Sequence, residues 1–223
     1  MASVQIVIGN VLSTGDIEAA RAALQRARFV DGRTTAGFAA REVKNNTQAA
    51  GSNRSLETVR ALVTERILAN EVFRLAVRPK ALTPLTFSRY EPGMNYGSHV
   101  DDPLMHGMRT DVSFTLFLSD PRSYDGGELV IESASGDDAI KLDAGALVAY
   151  PATTLHRVNA VGSGQRLAAV GWARSFIRDD AQRELLFDLD TARRQIFSRE
   201  GKTAEFDLIS KSVANLMRMW SED

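Results

Sequence analysis

The chain has 223 residues and is 44% hydrophobic, which is enough for one sizeable core. Its 27 basic and 28 acidic residues leave a net charge of −1, so charge gives no reason to expect a nucleic acid or an anionic membrane as partner. The absence of cysteine excludes disulfides, iron–sulfur clusters, zinc ribbons and thiol catalysis, and any metal must be held by His, Asp or Glu.

The N-terminal stretch MASVQIVIGNVL is apolar but short. It lacks a basic segment and is interrupted by Gly9 and Asn10, so it is a poor signal peptide. No run in the chain approaches the roughly 18 apolar residues of a membrane span. We therefore expect a soluble, cytoplasmic protein.

Residues 1–78 are predicted to form an N-terminal helical region. The segment STGDIEAARAALQRA opens with a Ser/Thr/Asp capping cluster and continues with apolar residues at helical spacing. A second, longer segment, SLETVRALVTERILANEVFRLAV, is also amphipathic. Its apolar stripe consists of Leu56, Val59, Leu62, Val63, Ile67 and Val72. The Gly-, Thr-, Asn- and Ala-rich stretch between the two is predicted to be a loop, with a short strand as an alternative.

From residue 79 to residue 177 the hydrophobic period changes to two. Short β-branched or aromatic runs such as DVSFTLFLS, GELVIE and ALVAYP are separated by clusters of Pro, Gly, Asp and Ser. Seven or eight such strands indicate an all-β sandwich or barrel, and a jelly roll is the favoured architecture.

Residues 178–223 return to the helical period, as two segments separated near Gly201. The predicted fold class is therefore α+β, with a jelly-roll core (a double-stranded β-helix), N-terminal helices packed on it and a C-terminal helical segment. The last helix carries Leu216, Met217, Met219 and Trp220, which could pack on the barrel or on a partner subunit. A homo-oligomer is thus left open.

The stretch NYGSHVDDP contains one of only three histidines in the chain. On a strand, His99 and Asp101 would project from the same face, because side chains alternate with a period of two. A third ligand could be His106, in a Pro- and Gly-containing loop, or His156, where a strand resumes after a turn. Two histidines and one carboxylate form the facial triad of non-heme Fe(II) oxygenases.

The spacing alone leaves simpler interpretations open. His99 could be a strand histidine that hydrogen-bonds Asp101 or Asp102, and His156 could equally be an ordinary core histidine. For His106 a solvent-exposed position on the loop is favoured.

Arg166 follows His156 by ten residues and opens the apolar strand RLAAVGWA. An arginine in such a buried run is costly unless it is paired with an anion. Its planar fork suits a carboxylate, which a dicarboxylate cosubstrate would supply. The alternative is an ion pair with one of the acidic residues of the chain.

Four stretches together resemble the PKHD-type hydroxylases, bacterial members of the prolyl-4-hydroxylase-like branch of the Fe(II)/2-oxoglutarate dioxygenases. They are SRYEPGMNYGSHVDDP, RTDVSFTLFLSDPRSYDGGELVIE, KLDAGALVAYPATTLHRVNAV and RLAAVGWARSFIRDD. The resemblance extends to FVDGRTTAG, to VKNNTQ and to the C-terminal helical segment, so it covers nearly the whole chain.

The resemblance implies hydroxylation of an unactivated C–H bond, dependent on Fe(II), 2-oxoglutarate and O2, with release of succinate and CO2. It implies His99, Asp101 and His156 as the iron ligands. It implies that Arg166 binds the distal carboxylate of 2-oxoglutarate, and Tyr90 matches a position that hydrogen-bonds the cosubstrate in relatives. Ascorbate is a candidate reductant.

The resemblance also implies two residues of the substrate pocket. Tyr96 matches a tyrosine that lies near the substrate in relatives, with simple packing on the sheet as the alternative, and Arg109 is placed in the same pocket. No role is assigned to four further residues of the family pattern, Lys44, Asn45, Asn46 and Thr110. Backbone hydrogen bonding is the favoured interpretation for the two asparagines.

The substrate itself is not determined by the sequence. Relatives hydroxylate peptidyl proline, other protein side chains or small molecules. One rival hypothesis is a non-catalytic jelly-roll module that senses a metal or 2-oxoglutarate. A second is a structural module with incidental histidines, which Arg166 argues against because a purely structural sheet does not need that cation.

Overall fold

The computed structural model describes residues 5–51 and 54–223, and within these ranges the chain forms seventeen strands and five α-helices. The helices are α1 (Thr14–Gln25), α2 (Arg54–Ala69), α3 (Glu71–Val77), α4 (Asp180–Glu200) and α5 (Ala204–Trp220). The first nine strands are β1 (Ile6–Ile8), β2 (Arg28–Asp31), β3 (Lys44–Asn45), β4 (Thr47–Ala50), β5 (Pro79–Leu82), β6 (Thr86–Tyr90), β7 (Asn95–His99), β8 (Leu104–Met105) and β9 (Met108–Arg109). The others are β10 (Val112–Phe117), β11 (Tyr124–Gly126), β12 (Leu129–Ser133), β13 (Gly136–Ile140), β14 (Leu147–Pro151), β15 (His156–Val158), β16 (Val161–Gly164) and β17 (Arg166–Ser175).

Two antiparallel sheets form the body of the protein. The large sheet has the order β1-β14-β10-β17-β6-β4-β2, and β5 also pairs with β17. The small sheet has the order β13-β12-β15-β7-β3. The hairpin β8–β9 and the pair β11–β16 lie outside both sheets.

The period of two decides which side of the large sheet each residue covers. On β10, Phe114 and Leu116 pack in a cluster with α1, α2 and α3, whereas Phe117 belongs to a second cluster. That second cluster also contains Ile131 of the small sheet and Tyr150 of β14. Since side chains of both sheets meet there, the sheets face each other across a shared core. The predicted jelly-roll core, with helices on its outer face, is confirmed.

The N-terminal region differs from the prediction of a mainly helical segment. Four strands, β1 to β4, lie within residues 1–78 and extend the sheets built by the rest of the chain. The segment that supplies β2, β3 and β4 has few β-branched residues and no clear alternation, so its strands form through pairing with their neighbours. The division into regions 1–78, 79–177 and 178–223 stays a prediction.

The second predicted helix is interrupted at Asn70. The Asn70 side chain accepts a hydrogen bond from the Phe73 amide and so caps a new helix, α3. The break shifts the helical register: Phe73 is buried, while Val72, predicted in the apolar stripe, is 40% exposed. That part of the prediction was wrong.

The C-terminal helices pack on each other around Leu186 and Val213, and Leu216, Met217 and Trp220 join this cluster. Met219 is mostly exposed, so within the single chain it does not join this cluster. Gly201 separates the two helices as predicted, with a positive φ of 74°. Among the described helices, none is long and apolar enough to span a bilayer.

Candidate functional site

Three predicted residues come together at the end of the small sheet. β7 and β15 are antiparallel neighbours, and His99 lies directly opposite His156 in their register. Asp101 Oδ1 is 3.9 Å from Nε2 of His99, and Asp101 Oδ2 is 3.7 Å from Nε2 of His156. One donor atom from each of the three residues lies within 4.8 Å of the others. This cluster is called the His–Asp–His triad below.

Both imidazole rings are held in the tautomer that a metal requires. Nδ1 of His99 lies 2.9 Å from the Gly97 carbonyl oxygen, and Nδ1 of His156 lies 3.0 Å from that of Thr154. A carbonyl oxygen can only accept, so each Nδ1 must carry the proton and donate it. The lone pair of each Nε2 is therefore free to bind a metal.

Asp101 is positioned by a residue of the opposite sheet. The sequence argument placed Asp101 on the strand with His99, but β7 ends at His99, and Asp101 follows two residues later. Its carboxylate is oriented instead by Ser113 of β10, whose hydroxyl donates to Oδ2 at 2.6 Å. Ser113 was missed by the sequence analysis, although the alternation of VSFTLF places it on the inner face.

Burial keeps His99 in its metal-binding protonation state. The pKa of His99 is lowered to about 4, mainly by burial and further by the neighbouring His156. At neutral pH this ring is uncharged, and a neutral ring is the form that coordinates. The chemistry of the donor set, two imidazoles and one carboxylate on one side of a cavity, fits an Fe(II) ion with open positions.

Arg166 lies buried in the wall of the same cavity and is only 1% exposed. Its guanidinium packs 5.1 Å from the Tyr90 ring centre and 5.4 Å from that of Phe117, and its Nε has no hydrogen-bond partner. Within residues 5–51 and 54–223, no acidic side chain forms a salt bridge with it. An internal ion pair therefore does not account for this cation, and an anion from outside the chain would.

Three tyrosines surround the triad. Tyr96 stacks on the His99 ring with centroids 3.6 Å apart and planes inclined by 16°. Tyr150 meets His156 edge-on at 5.1 Å. Tyr90 stands directly opposite Arg166 in the β6–β17 pairing. Burial raises the pKa of Tyr90 and that of Tyr150, so both remain neutral hydrogen-bond donors. Tyr150 was missed by the sequence analysis.

Lys44, which had no assigned role, also enters this cavity. The residue is 8% exposed, and its Nζ donates to Thr35 Oγ1 at 3.1 Å. Burial lowers its pKa from 10.5 to about 8, against the attraction of Asp101. At neutral pH the protein thus holds a largely desolvated positive charge beside the triad.

Replacing Lys44 with methionine is expected to stabilise the metal-free protein by up to about 3 kcal/mol at pH 7. The folded state binds this proton more weakly than the unfolded chain does. The wild-type free energy of unfolding therefore rises as the pH passes from about 8 towards 10.5. The difference in free energy of unfolding between K44M and the wild type, measured by urea unfolding, should shrink by more than half between about pH 7 and 9.5. K202M, at an exposed lysine, should show no such trend. An advantage of K44M that is constant with pH would contradict the assignment.

Arg109 and Thr110, two further residues of the family pattern, bind other groups of the protein. Arg109 is absent from the cavity wall, which corrects its placement in the substrate pocket: its guanidinium is held by Asp111 at 2.7 Å and by Glu222 at 2.6 Å. Thr110 donates to the backbone oxygen of Asp102 at 2.6 Å and so anchors the loop that follows Asp101.

The two asparagines also differ from each other. Asn45 donates to the Gly93 carbonyl at 3.2 Å, in line with backbone hydrogen bonding. Asn46 instead hydrogen-bonds the Tyr90 side chain. His106 lies exposed at the tip of the β8–β9 hairpin, at the mouth of the cavity and outside the triad.

The cavity has a volume of about 470 Å³ and reaches from the triad to Arg166. One wall comes from the N-terminal segment and includes the polar side chains of Thr35, Lys44 and Gln48. The mouth includes Val100, Leu104 and Met105. A space of this size is in the range of small-molecule sites. It can hold a dicarboxylate and part of a second ligand together.

Comparison with known proteins identifies the family. A model of the 2OG-Fe(II) oxygenase superfamily matches residues 85–174, and a model of the PKHD-type hydroxylase C-terminal domain matches residues 180–222. A PKHD-type hydroxylase from Picosynechococcus sp. is 53% identical over 215 residues, covering 96% of this chain and 98% of the relative. One from Acaryochloris marina is 52% identical and covers 97% of this chain and 99% of the relative.

A solved structure has a similar fold. The crystal structure of a Pseudomonas putida prolyl-4-hydroxylase aligns with a TM-score of 0.57 and 22% identity, over 78% of this chain and 94% of that one. The resemblance found in the sequence is thereby confirmed, together with the dependence on Fe(II) and 2-oxoglutarate that the family implies. The chain belongs to the PKHD-type hydroxylases and is a 2-oxoglutarate- and Fe(II)-dependent oxygenase.

Proposed function

We propose that the His–Asp–His triad holds the iron of this oxygenase and that the enzyme hydroxylates an unactivated C–H bond of a substrate bound in the cavity. The observation that carries the proposal is the convergence of three correctly oriented donor atoms beside a buried arginine that forms no salt bridge with any acidic residue the structure describes. When bound, Fe(II) together with 2-oxoglutarate and O2 supplies the oxidising power, and succinate and CO2 are released.

Each protein group then has a defined task. His99 and His156 offer Nε2 while their Nδ1–H groups are held by backbone carbonyls. Asp101 offers a carboxylate oriented by Ser113. Arg166 binds the distal carboxylate of 2-oxoglutarate with its guanidinium, and Tyr90, opposite it in the sheet, donates a hydrogen bond to the cosubstrate.

The proposal is tested by following 2-oxoglutarate turnover directly. We expect purified protein with Fe(II), 2-oxoglutarate and air to form succinate, slowly without substrate and faster once a substrate is added. Complete chelation of iron should abolish succinate formation. Turnover that survives chelation would disprove the proposal.

The rival hypothesis of a non-catalytic sensor makes a different prediction for the same assay. A sensor would bind Fe(II) and 2-oxoglutarate, which calorimetry would detect, but it would form no succinate under air. Binding without turnover would therefore favour the sensor, and membership of a hydroxylase family argues against it.

The hydroxylated substrate is a protein side chain, with proline as one candidate, or a small molecule. Incubating the enzyme with iron, 2-oxoglutarate and cell extract, followed by a search for products heavier by one oxygen atom, would reveal it. A cytoplasmic location and a need for ascorbate stay predictions.

A further inference from the structure

Lys44 is a buried cation that the proposed iron and 2-oxoglutarate sites do not use. Its Nζ has Thr35 as a hydrogen-bond partner and lies 5.0 Å from the Tyr96 ring centre. Among the described residues, none forms a salt bridge with it. A desolvated ammonium without a counter-ion is costly, and the same chain position could hold a neutral residue at lower cost.

When Fe(II) and 2-oxoglutarate are bound, the other charges of the site cancel and the positive charge of Lys44 stays unbalanced. A divalent iron and Asp101 together carry one positive charge, and Arg166 adds a second. The dianion 2-oxoglutarate cancels both. Two further carboxylates are nearby, but Asp31 is paired with Arg33 and Asp102 is exposed at the mouth. Once metal and cosubstrate are bound, the buried charge of Lys44 therefore remains without a partner.

A ligand that binds Lys44 would lie next to the proposed iron site. Lys44 lies opposite Tyr96 in the β3–β7 pairing, and the Tyr96 ring stacks on His99. Arg166 belongs to the other sheet, on β17. A group bound to Lys44 would therefore lie on the small-sheet side of the cavity. Arg166, the proposed binding residue for 2-oxoglutarate, lies on the large-sheet side.

The mouth of the cavity carries exposed apolar side chains beside Asp102 and His106. Val100 and Leu104, on either side of the Asp101–Pro103 segment, are 50% and 66% exposed and line the opening. Exposed apolar side chains at a binding site gain free energy when a ligand covers them.

We propose that the primary substrate is a small molecule with one carboxylate on an apolar body. This inference rests on the proposed function. The carboxylate pairs with Lys44, and the apolar body covers Val100 and Leu104 at the mouth.

The test uses the holoenzyme with Fe(II) and saturating 2-oxoglutarate under anaerobic conditions, so that Arg166 is occupied and no turnover occurs. Hexanoate and hexanamide, which differ in charge but hardly in shape, are titrated by calorimetry. We expect the wild type to prefer hexanoate by about tenfold or more, because a charged hydrogen-bonded pair is formed. K44M should remove the preference, K44R should keep part of it, and K202M should keep it fully. Thermal unfolding of each variant confirms that it is folded.

Equal binding of the two probes by the wild type, or a hexanoate preference that survives in K44M, would overturn the proposal. So would a K44M variant whose main defect is weaker binding of 2-oxoglutarate, since Lys44 would then serve the cosubstrate. Failure of the proposed function is recognised separately. It appears as the absence of succinate from the wild type under air, whatever the outcome of the hexanoate titration.

Discussion

Replacing Asp101 with alanine is expected to lower iron affinity and succinate formation by about a thousandfold or more, since losing only the hydrogen-bond partner of a metal ligand already costs about 10–100-fold. Asp101 is the only carboxylate in the triad, and without it two imidazoles alone remain to bind a divalent cation. Iron binding to anaerobic protein, measured by calorimetry, and succinate formation under air should fall together. His99→Ala should have a comparable effect, because it removes one of the three donors.

The loss of iron affinity in D101A is compared with that in two further variants. Ser113→Ala keeps all three donors but releases the Asp101 carboxylate, so we expect an intermediate loss of iron affinity of roughly 10–100-fold. His106→Asn changes the remaining histidine, at a position with φ of 52° that asparagine tolerates. It should retain iron affinity. A loss in H106N as large as that in D101A, or full iron affinity in D101A, would show that the triad is not the iron site.

Replacing Arg166 with methionine is expected to raise the concentration of 2-oxoglutarate needed for turnover by roughly a hundredfold or more. The guanidinium is buried and its Nε has no hydrogen-bond partner among residues 5–51 and 54–223, so it is available for a carboxylate. Losing one partner of a buried charged pair typically costs 2–5 kcal/mol or more. Succinate formation as a function of 2-oxoglutarate concentration gives this change directly.

Separate measurements distinguish a binding defect from misfolding. Iron affinity without 2-oxoglutarate should be nearly unchanged in R166M, because Arg166 does not belong to the triad. Arg166→Lys keeps the charge but loses the bidentate fork, and it should recover only part of the affinity. R122M, at a largely exposed arginine paired with Asp120, is the matched control and should behave as wild type. An R166M enzyme with normal 2-oxoglutarate dependence would place the cosubstrate elsewhere.

Lys44 and Arg166 together describe a cavity built for anions. Both are buried cations without an acidic partner in the described part of the chain, and each reduces the stability of the empty protein. Bound carboxylates would compensate this cost. We therefore expect 2-oxoglutarate to stabilise the protein against unfolding by more than its contact area alone suggests.

Much of the fold was predictable because it depends on local pattern. The alternation in VSFTLF and ALVAYP indicates strands whose two faces meet different cores, and Phe114 and Phe117 do pack in different clusters. The strands β2, β3 and β4 were poorly predicted because their own sequences carry little preference. They exist through pairing with the edges of the two sheets.

The site was predicted unevenly for a similar reason. The family resemblance implied His99, Asp101 and His156 as ligands, whereas Arg166 was indicated by the cost of burying an unpaired cation in an apolar strand. Arg109, which the resemblance placed in the substrate pocket, lies outside the cavity wall because Asp111, two residues away, binds its guanidinium. Lys44 could not be placed, since only the β3–β7 pairing brings it beside Tyr96.

The sequence by itself determined the chemistry available to this protein: no thiols, a small set of histidines, one arginine in an apolar strand and a family pattern along nearly the whole chain. The tertiary structure alone decided how these groups are brought together. His156, rather than His106, joins His99 because the antiparallel register of β7 and β15 places the two residues opposite each other. Local sequence reports burial and periodicity, whereas distances between residues far apart in the chain depend on strand register and sheet packing.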